Sequence, residues 1–163
     1  MRADAMAQWL AQKEGSCLSR ESLSCVNSQL GGVLPQWYLT LVATLPIVGV
    51  ELAWLAYPDE EGEDQLEWFE FADADLLVEL NLATYPGELL RQLGYVVFAF
   101  GVNNAGNCYA FSITDGDDPA VYEVWHDAAQ TIEEMKVALE HQYGVTRLST
   151  RFSSFLQMLK VDV

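Results

Sequence analysis

The tightest constraint on this chain lies in its centre, where three apolar runs, Tyr95 to Phe100, Asn107 to Ile113 and Val121 to Trp125, follow one another in quick succession. The connections carry Asn103-Asn104-Ala105-Gly106 and Asp115-Gly116-Asp117-Asp118-Pro119. A parallel neighbour needs a crossover of roughly a dozen residues or more, whereas a short loop returns the strand antiparallel. Asn, Asp and Gly suit such loops because they tolerate left-handed backbone and close local side-chain hydrogen bonds. The centre is therefore an antiparallel meander, and the flanking segments must cover it.

Helical spacing supplies the cover. Met6, Trp9 and Leu10 lie at i, i+3, i+4 and predict a short first helix that Gly15 and Ser16 break. Ser19 is the expected N-cap of a second helix, with Leu23, Val26 and Leu30 on one face and Gly31-Gly32 as its stop. Pro35 suits the first turn of a third, striped by Tyr38, Leu41, Val42 and Leu45 and ended by Pro46. Ile47 to Tyr57 is rich in β-branched and aromatic residues and predicts a strand, with Leu66 to Phe71 returning across a loop at residues 58–64. Asp73 or Asp75 caps a short helix through Leu76, Leu77 and Leu80, and Pro86-Gly87 marks a turn. Ile132, Met135, Leu139 and Tyr143 space out as a helix stopped by Gly144. Phe152, Phe155, Leu156 and Leu159 form a last helix capped from Ser149 or Thr150. The reading is one α+β domain over residues 1–163, a largely antiparallel sheet bracketed by N-terminal and C-terminal helices.

With 163 residues, 51% of them apolar, the chain can bury a core without metal or disulfide support. Twenty-four acids stand against eight Lys and Arg, a formal net charge of -16. Such a field repels phosphate backbones and anionic lipid headgroups, which argues against nucleic acid and membrane surfaces as partners. The stretch Ser22 to Val50 carries no charge, but Gly31-Gly32, Pro35, Gln36 and Pro46 interrupt it, so it lacks the roughly 20 apolar residues of a membrane span. The opening MRADAMAQWLAQKEGS has no apolar core of signal-peptide length. Cys17, Cys25 and Cys108 are odd in number and widely spaced, and read as reduced thiols of a cytoplasmic protein.

The candidate chemistries are weak. Cys108, His126 and Asp127 have the residue types of a thiol hydrolase triad, but Cys108 sits in an apolar strand and Asp127 follows His126 directly, a poor place from which to orient it. Two histidines, His126 and His141, match no zinc spacing. The Asp115 to Asp118 loop lacks the calcium-loop pattern and its closing Glu, and the loop from Asn103 to Gly106 carries no phosphate-binding fingerprint. Carboxylates are abundant, yet none stands out as an acid or a base. No catalytic residue, metal ligand or cofactor is assigned.

Charge is unevenly spread. No Lys or Arg falls between Arg20 and Arg91, a span that holds thirteen acids from Glu21 to Glu88. One reading is a solvated acidic surface that maintains solubility. The other is a polyanionic face that steers a basic partner, carried by Asp59, Glu60, Glu61, Glu63, Asp64, Glu67 and Glu70 with Trp68 as an anchor. Trp54, Tyr57, Phe69 and Tyr85 are interspersed, and most of these aromatics are expected in the core.

The order of motifs adds a resemblance. Leu34-Pro35-Gln36-Trp37-Tyr38 opens a helix, then come Val96-Val97-Phe98-Ala99-Phe100, Asn103 to Gly106 and Cys108-Tyr109-Ala110-Phe111. Pro119 to Asp127 and Ser153-Ser154-Phe155-Leu156-Gln157-Met158-Leu159 follow. This series resembles the SUKH superfamily, the Smi/Knr-type domain of bacterial toxin-immunity proteins and a fungal cell-wall synthesis regulator, over about residues 20–160, with 1–18 as an N-terminal helical extension. The resemblance implies an α+β fold without catalytic residues that neutralises a cognate toxin, often a nuclease, by direct binding. The segment Thr131 to Tyr143 is additional to the family pattern, and the loop before Cys108 has Asn where Asp or Gly is usual. The expectation is an immunity-type, non-enzymatic protein, monomer or weak dimer, that meets a basic toxin domain. The alternatives are a regulatory scaffold of the cell-wall type and, least favoured, a hydrolase using Cys108 and His126.

Overall fold

The computed structural model describes residues 10, 12–55, 66–84, 87–94 and 97–160. Seven strands form one sheet in the order β6-β5-β4-β3-β2-β1-β7, each neighbouring pair antiparallel. They are β1 (Leu52–Leu55), β2 (Leu66–Phe71), β3 (Val97–Asn103), β4 (Cys108–Ser112), β5 (Val121–Val124), β6 (Val145–Ser149) and β7 (Leu159–Lys160). The helices are α1 (Arg20–Gln29), α2 (Gln36–Thr44), α3 (Ala74–Leu82), α4 (Gly87–Gln92), α5 (Ile132–His141) and α6 (Phe152–Met158). The α+β meander read from the short central loops is the observed architecture.

Strand alternation gives the sheet two unlike faces. On the front, Phe69, Phe71, Phe98, Phe100, Tyr109 and Phe111 are almost wholly buried under α1, α2 and α6. Phe152 and Phe155 of α6 drop into this layer, Phe152 at 5.1 Å from Phe100 and Phe155 at 5.3 Å from Phe69, between ring centroids. Tyr38 of α2 meets Phe98 edge-on at 4.9 Å. Each such side chain stabilises the fold by about 1.5–3 kcal/mol through burial, and edge-to-face pairs add to that. On the back, a smaller cluster of Leu90, Ala128, Ala129, Met135 and Ala138 ties α4 to α5.

Phe98 and Phe100 reach the front core by alternation, and the register of β3 against β4 then shifts between Ala99 and Gly101, with Phe100 the extra residue, so that Gly101 stands opposite Tyr109. Gly101 is required there because a Cβ would collide with the Glu70 carbonyl oxygen across the pair. Beyond the bulge β2 peels away into α3, and Asn81 takes its place as hydrogen-bond partner. Its Nδ2 donates to the Ala99 carbonyl at 2.8 Å and its Oδ1 accepts the Ala99 N–H at 2.9 Å. A buried asparagine thus serves as a one-residue strand, leaving neither backbone group unpaired.

Several local expectations hold. Ser19 caps α1 by accepting the Ser22 N–H, and Asp73 caps α3 by accepting the Leu76 N–H; the capping box of Thr131 with Glu134 on α5 is an addition that the sequence reading did not include. Others are corrected. Gly87 opens the short helix α4 instead of marking a turn, and β6 was not expected, its residues being half-buried on both faces except for the exposed Arg147. The strand expected from Ile47 starts only at Leu52, because Gly49 at φ +76 turns the chain and Val48 makes isolated bridges to Ser16 and Phe71. Neither Ser149 nor Thr150 caps the first turn of α6; Ser149 Oγ instead accepts the Arg151 N–H at 3.3 Å and donates to the Arg151 carbonyl at 2.9 Å, just before the helix. Asp118, 35 residues away, receives the Ser153 N–H and Oγ–H, both at 2.7 Å. Leu159 leaves the helix and pairs with Trp54 as part of β7. The helix expected around Met6 and Trp9 lies outside the described residues, as do Tyr57 and Tyr85; Leu10 is fully buried.

Candidate functional site

Antiparallel pairing brings the ends of β1, β3 and β5 and the starts of β2, β4 and β6 to one edge of the molecule. Here Asn103 closes the β3–β4 turn, its Oδ1 accepting the N–H of Ala105 at 3.1 Å and of Asn107 at 2.9 Å. Gly106 completes the turn at φ +85. Asn103 Nδ2 and Asn107 Nδ2 both donate to Glu123 Oε1, at 3.1 and 2.8 Å. Asn107 Oδ1 in turn accepts the His126 N–H at 3.2 Å and lies 3.2 Å from His126 Nδ1, a contact that needs the Nδ1–H tautomer.

The front-face register adds two further groups. Trp54, opposite Glu67, donates its Nε1–H to the hydroxyl of Tyr109 at 3.0 Å, and Tyr109 pairs with Glu123. Burial raises the affinity of Glu123 for its proton, the two asparagine amides oppose that shift, and the charge of Glu67 adds to it. Tyr109 is likewise held above its ordinary range, first by burial and then by the charge of Glu123. The edge is an electronegative, hydrogen-bonded rim in which Glu123 has one oxygen engaged by amides.

The residues expected to carry function divide. Asp59, Glu60, Glu61, Glu63 and Asp64 lie outside the described residues, between the stems Leu55 and Leu66 that leave the sheet at this same edge. Glu67 faces the front beside Trp54, while Trp68 and Glu70 stand on the back by alternation, so the three do not form one surface. Trp54 and Phe69 are buried, as expected of most aromatics in this span. The contributions of Asn103, Asn107 and Glu123 were not foreseen as a group. The signal available was a pair of asparagines flanking a turn opposite an acid in the next strand.

Cys108 points to the back, 1% exposed, and burial pushes its thiol up to about 12, leaving almost no thiolate near neutrality. His126 and Asp127 sit in an exposed turn after β5. No disulfide joins Cys17, Cys25 or Cys108. Among the described residues no group of three or more His, Cys, Asp or Glu is placed to hold a metal ion, and no helix is long and apolar enough to cross a membrane. Comparisons with protein-family models, curated proteins and solved structures returned no match.

Proposed function

We propose that this chain is a non-catalytic, SUKH-type immunity protein of the cytoplasm that neutralises a basic toxin domain by occupying its cleft. The observation that carries this reading is charge left without local cations. Glu21, Glu51, Asp73, Asp75, Glu79 and Glu88 are exposed and Glu67 and Glu70 half-buried, and among the described residues no ion pair reaches any of them. A surface of this kind raises association rates with a cationic partner and disfavours competitors of its own sign. The motif order of the SUKH superfamily supplies the biological class.

The test is binding to the basic C-terminal domain of a toxin encoded in the neighbouring reading frame, measured by calorimetry across ionic strengths. Affinity is expected to fall about tenfold or more between low and high salt, because exposed charge pairs are screened beyond a Debye length of about 10 Å at 0.1 M. Joint reversal of Glu60, Glu61, Glu63 and Asp64 to Lys is expected to weaken binding further. Salt-independent binding, or no binding and no protection of cells expressing the toxin, removes the proposal.

A further inference from the structure

Among the described residues five large apolar side chains are exposed, Tyr143 at 62%, Val137 at 55%, Trp125 at 39% and Val33 and Leu82 at 38% each, and the first three gather on one face. Trp125 and Tyr143 meet edge-on with ring centroids 5.9 Å apart. Val137 and Tyr143 share an open hollow of about 480 Å³ with Ala128, Ala138 and His141. Exposed hydrophobes scattered singly are ordinary, whereas a gathered set marks an interaction surface.

Backbone hydrogen bonds fix where the set is presented. The Trp125 N–H donates to the Gly144 carbonyl at 2.8 Å, and the Tyr143 N–H to Ala138 at 2.9 Å. Gly144 sits at φ +66, and a Cβ there would clash with Ala128, so the turn that projects Tyr143 outward requires glycine at this position. Anchors that are already ordered lose little entropy on binding. The surrounding charge is predominantly negative. Asp127, Glu133, Glu134 and Glu140 are exposed, and the lysine within this segment, Lys136, is tied to Glu133 at 2.9 Å.

An apolar centre with a carboxylate rim fits a partner with the converse arrangement. We infer that this α5 face is the anchoring point for the basic partner proposed above, and that it receives an aliphatic or aromatic side chain flanked by Lys or Arg. The inference rests on that functional reading but moves the energetic centre from the β1–β2 connection to Trp125 and Tyr143, residue types that commonly dominate interfaces, with Val137 widening the apolar area beside them. A second copy of the chain is a poor occupant, because each copy carries -16 and would bring like-charged rims together.

Two synthetic helical peptides of equal positive charge, one Lys/Leu and one Lys/Ser, are the probes, titrated into the isotopically labelled full chain and followed by NMR. The Lys/Leu peptide is expected to shift the Trp125 indole and the Val137 and Tyr143 signals and to bind at least about tenfold more tightly than Lys/Ser. Tyr143→Ala and Val137→Ser, both at exposed positions where thermal melting should be unchanged, are expected to weaken it about tenfold each. Equal affinity for the two peptides, no binding of either, shifts confined to other surfaces, or a dimer lost in Val137→Ser would each overturn the inference. With the toxin domain the two proposals separate: no binding by the wild type removes the functional reading, whereas binding that Tyr143→Ala leaves intact removes only this face.

Discussion

On the front of the sheet Phe69, Phe71, Phe98, Phe100, Tyr109 and Phe111 interlock with Phe152 and Phe155, so the helices above them have one way to sit. On the back, Val97, Ala110, Tyr122, Val124 and Val145 form a floor that Leu90 and Leu139 roof only in part, leaving a cleft of about 430 Å³. Both faces are built from the same strands, whose alternate residues differ mainly in size. Large aromatic rings fill the interlayer space and fix one packing, whereas a floor that is mostly aliphatic, with Tyr122 its one ring, leaves room beneath α4 and α5. The front therefore carries the cohesion of the fold. The back and its α5 edge carry exposed apolar groups that a purely structural face would have buried.

The sharpest way to break this contrast is to truncate each face in turn. Phe100→Ala should lower unfolding free energy in urea by about 3–5 kcal/mol, the usual cost of deleting a fully buried phenyl ring. Asn81→Ala comes next, at about 2 kcal/mol, because it strands the N–H and carbonyl of Ala99 where no strand replaces them. Leu139→Ala, at a half-buried position lining the back cleft, should cost only about 1 kcal/mol. A Leu139 cost equal to that of Phe100 would mean that the two faces contribute alike.

The smallest effects are electrostatic and of opposite sign. The Ser153 backbone N–H, assisted by its hydroxyl, holds Asp118 below its ordinary range, so the folded state favours the carboxylate. That stability is present above the unfolded carboxyl pKa and lost as pH falls through the folded value; Asp118→Asn should remove this acid sensitivity and fray the start of α6. Burial raises Glu123, so the folded state binds its proton more tightly than the unfolded chain and stability falls as pH rises between the unfolded and folded values. Glu123→Gln should abolish that slope and leave the protein as stable or slightly more stable at neutral pH. Chemical denaturation across a pH series reads both, and a common sign for the two variants would refute the assignment.

Much of this was legible before the fold. The short Asn/Gly/Asp loops could connect only antiparallel neighbours, and Ser19 and Asp73 announced helix starts because an N-cap is a contact within three residues. The last helix was correctly placed but its cap was misread, since Asp118 reaches it across 35 residues and no local signal encodes that. Helical spacing extended α5 to Tyr143, but Gln142 at φ +54 ends the helix and turns that ring to solvent. Glu67 and Glu70 read as one acidic set until the pleat put them on opposite faces.

The sequence by itself determined the sheet's direction of pairing, the faces of its main helices and the excess of negative charge, because each depends on neighbours a few residues apart or on composition alone. Tertiary structure decided which asparagines meet Glu123, that Asn81 replaces a strand, and that Trp125, Val137 and Tyr143 converge outside the core. Those outcomes depend on register and on which helix covers which face, and one residue of slip would reverse them.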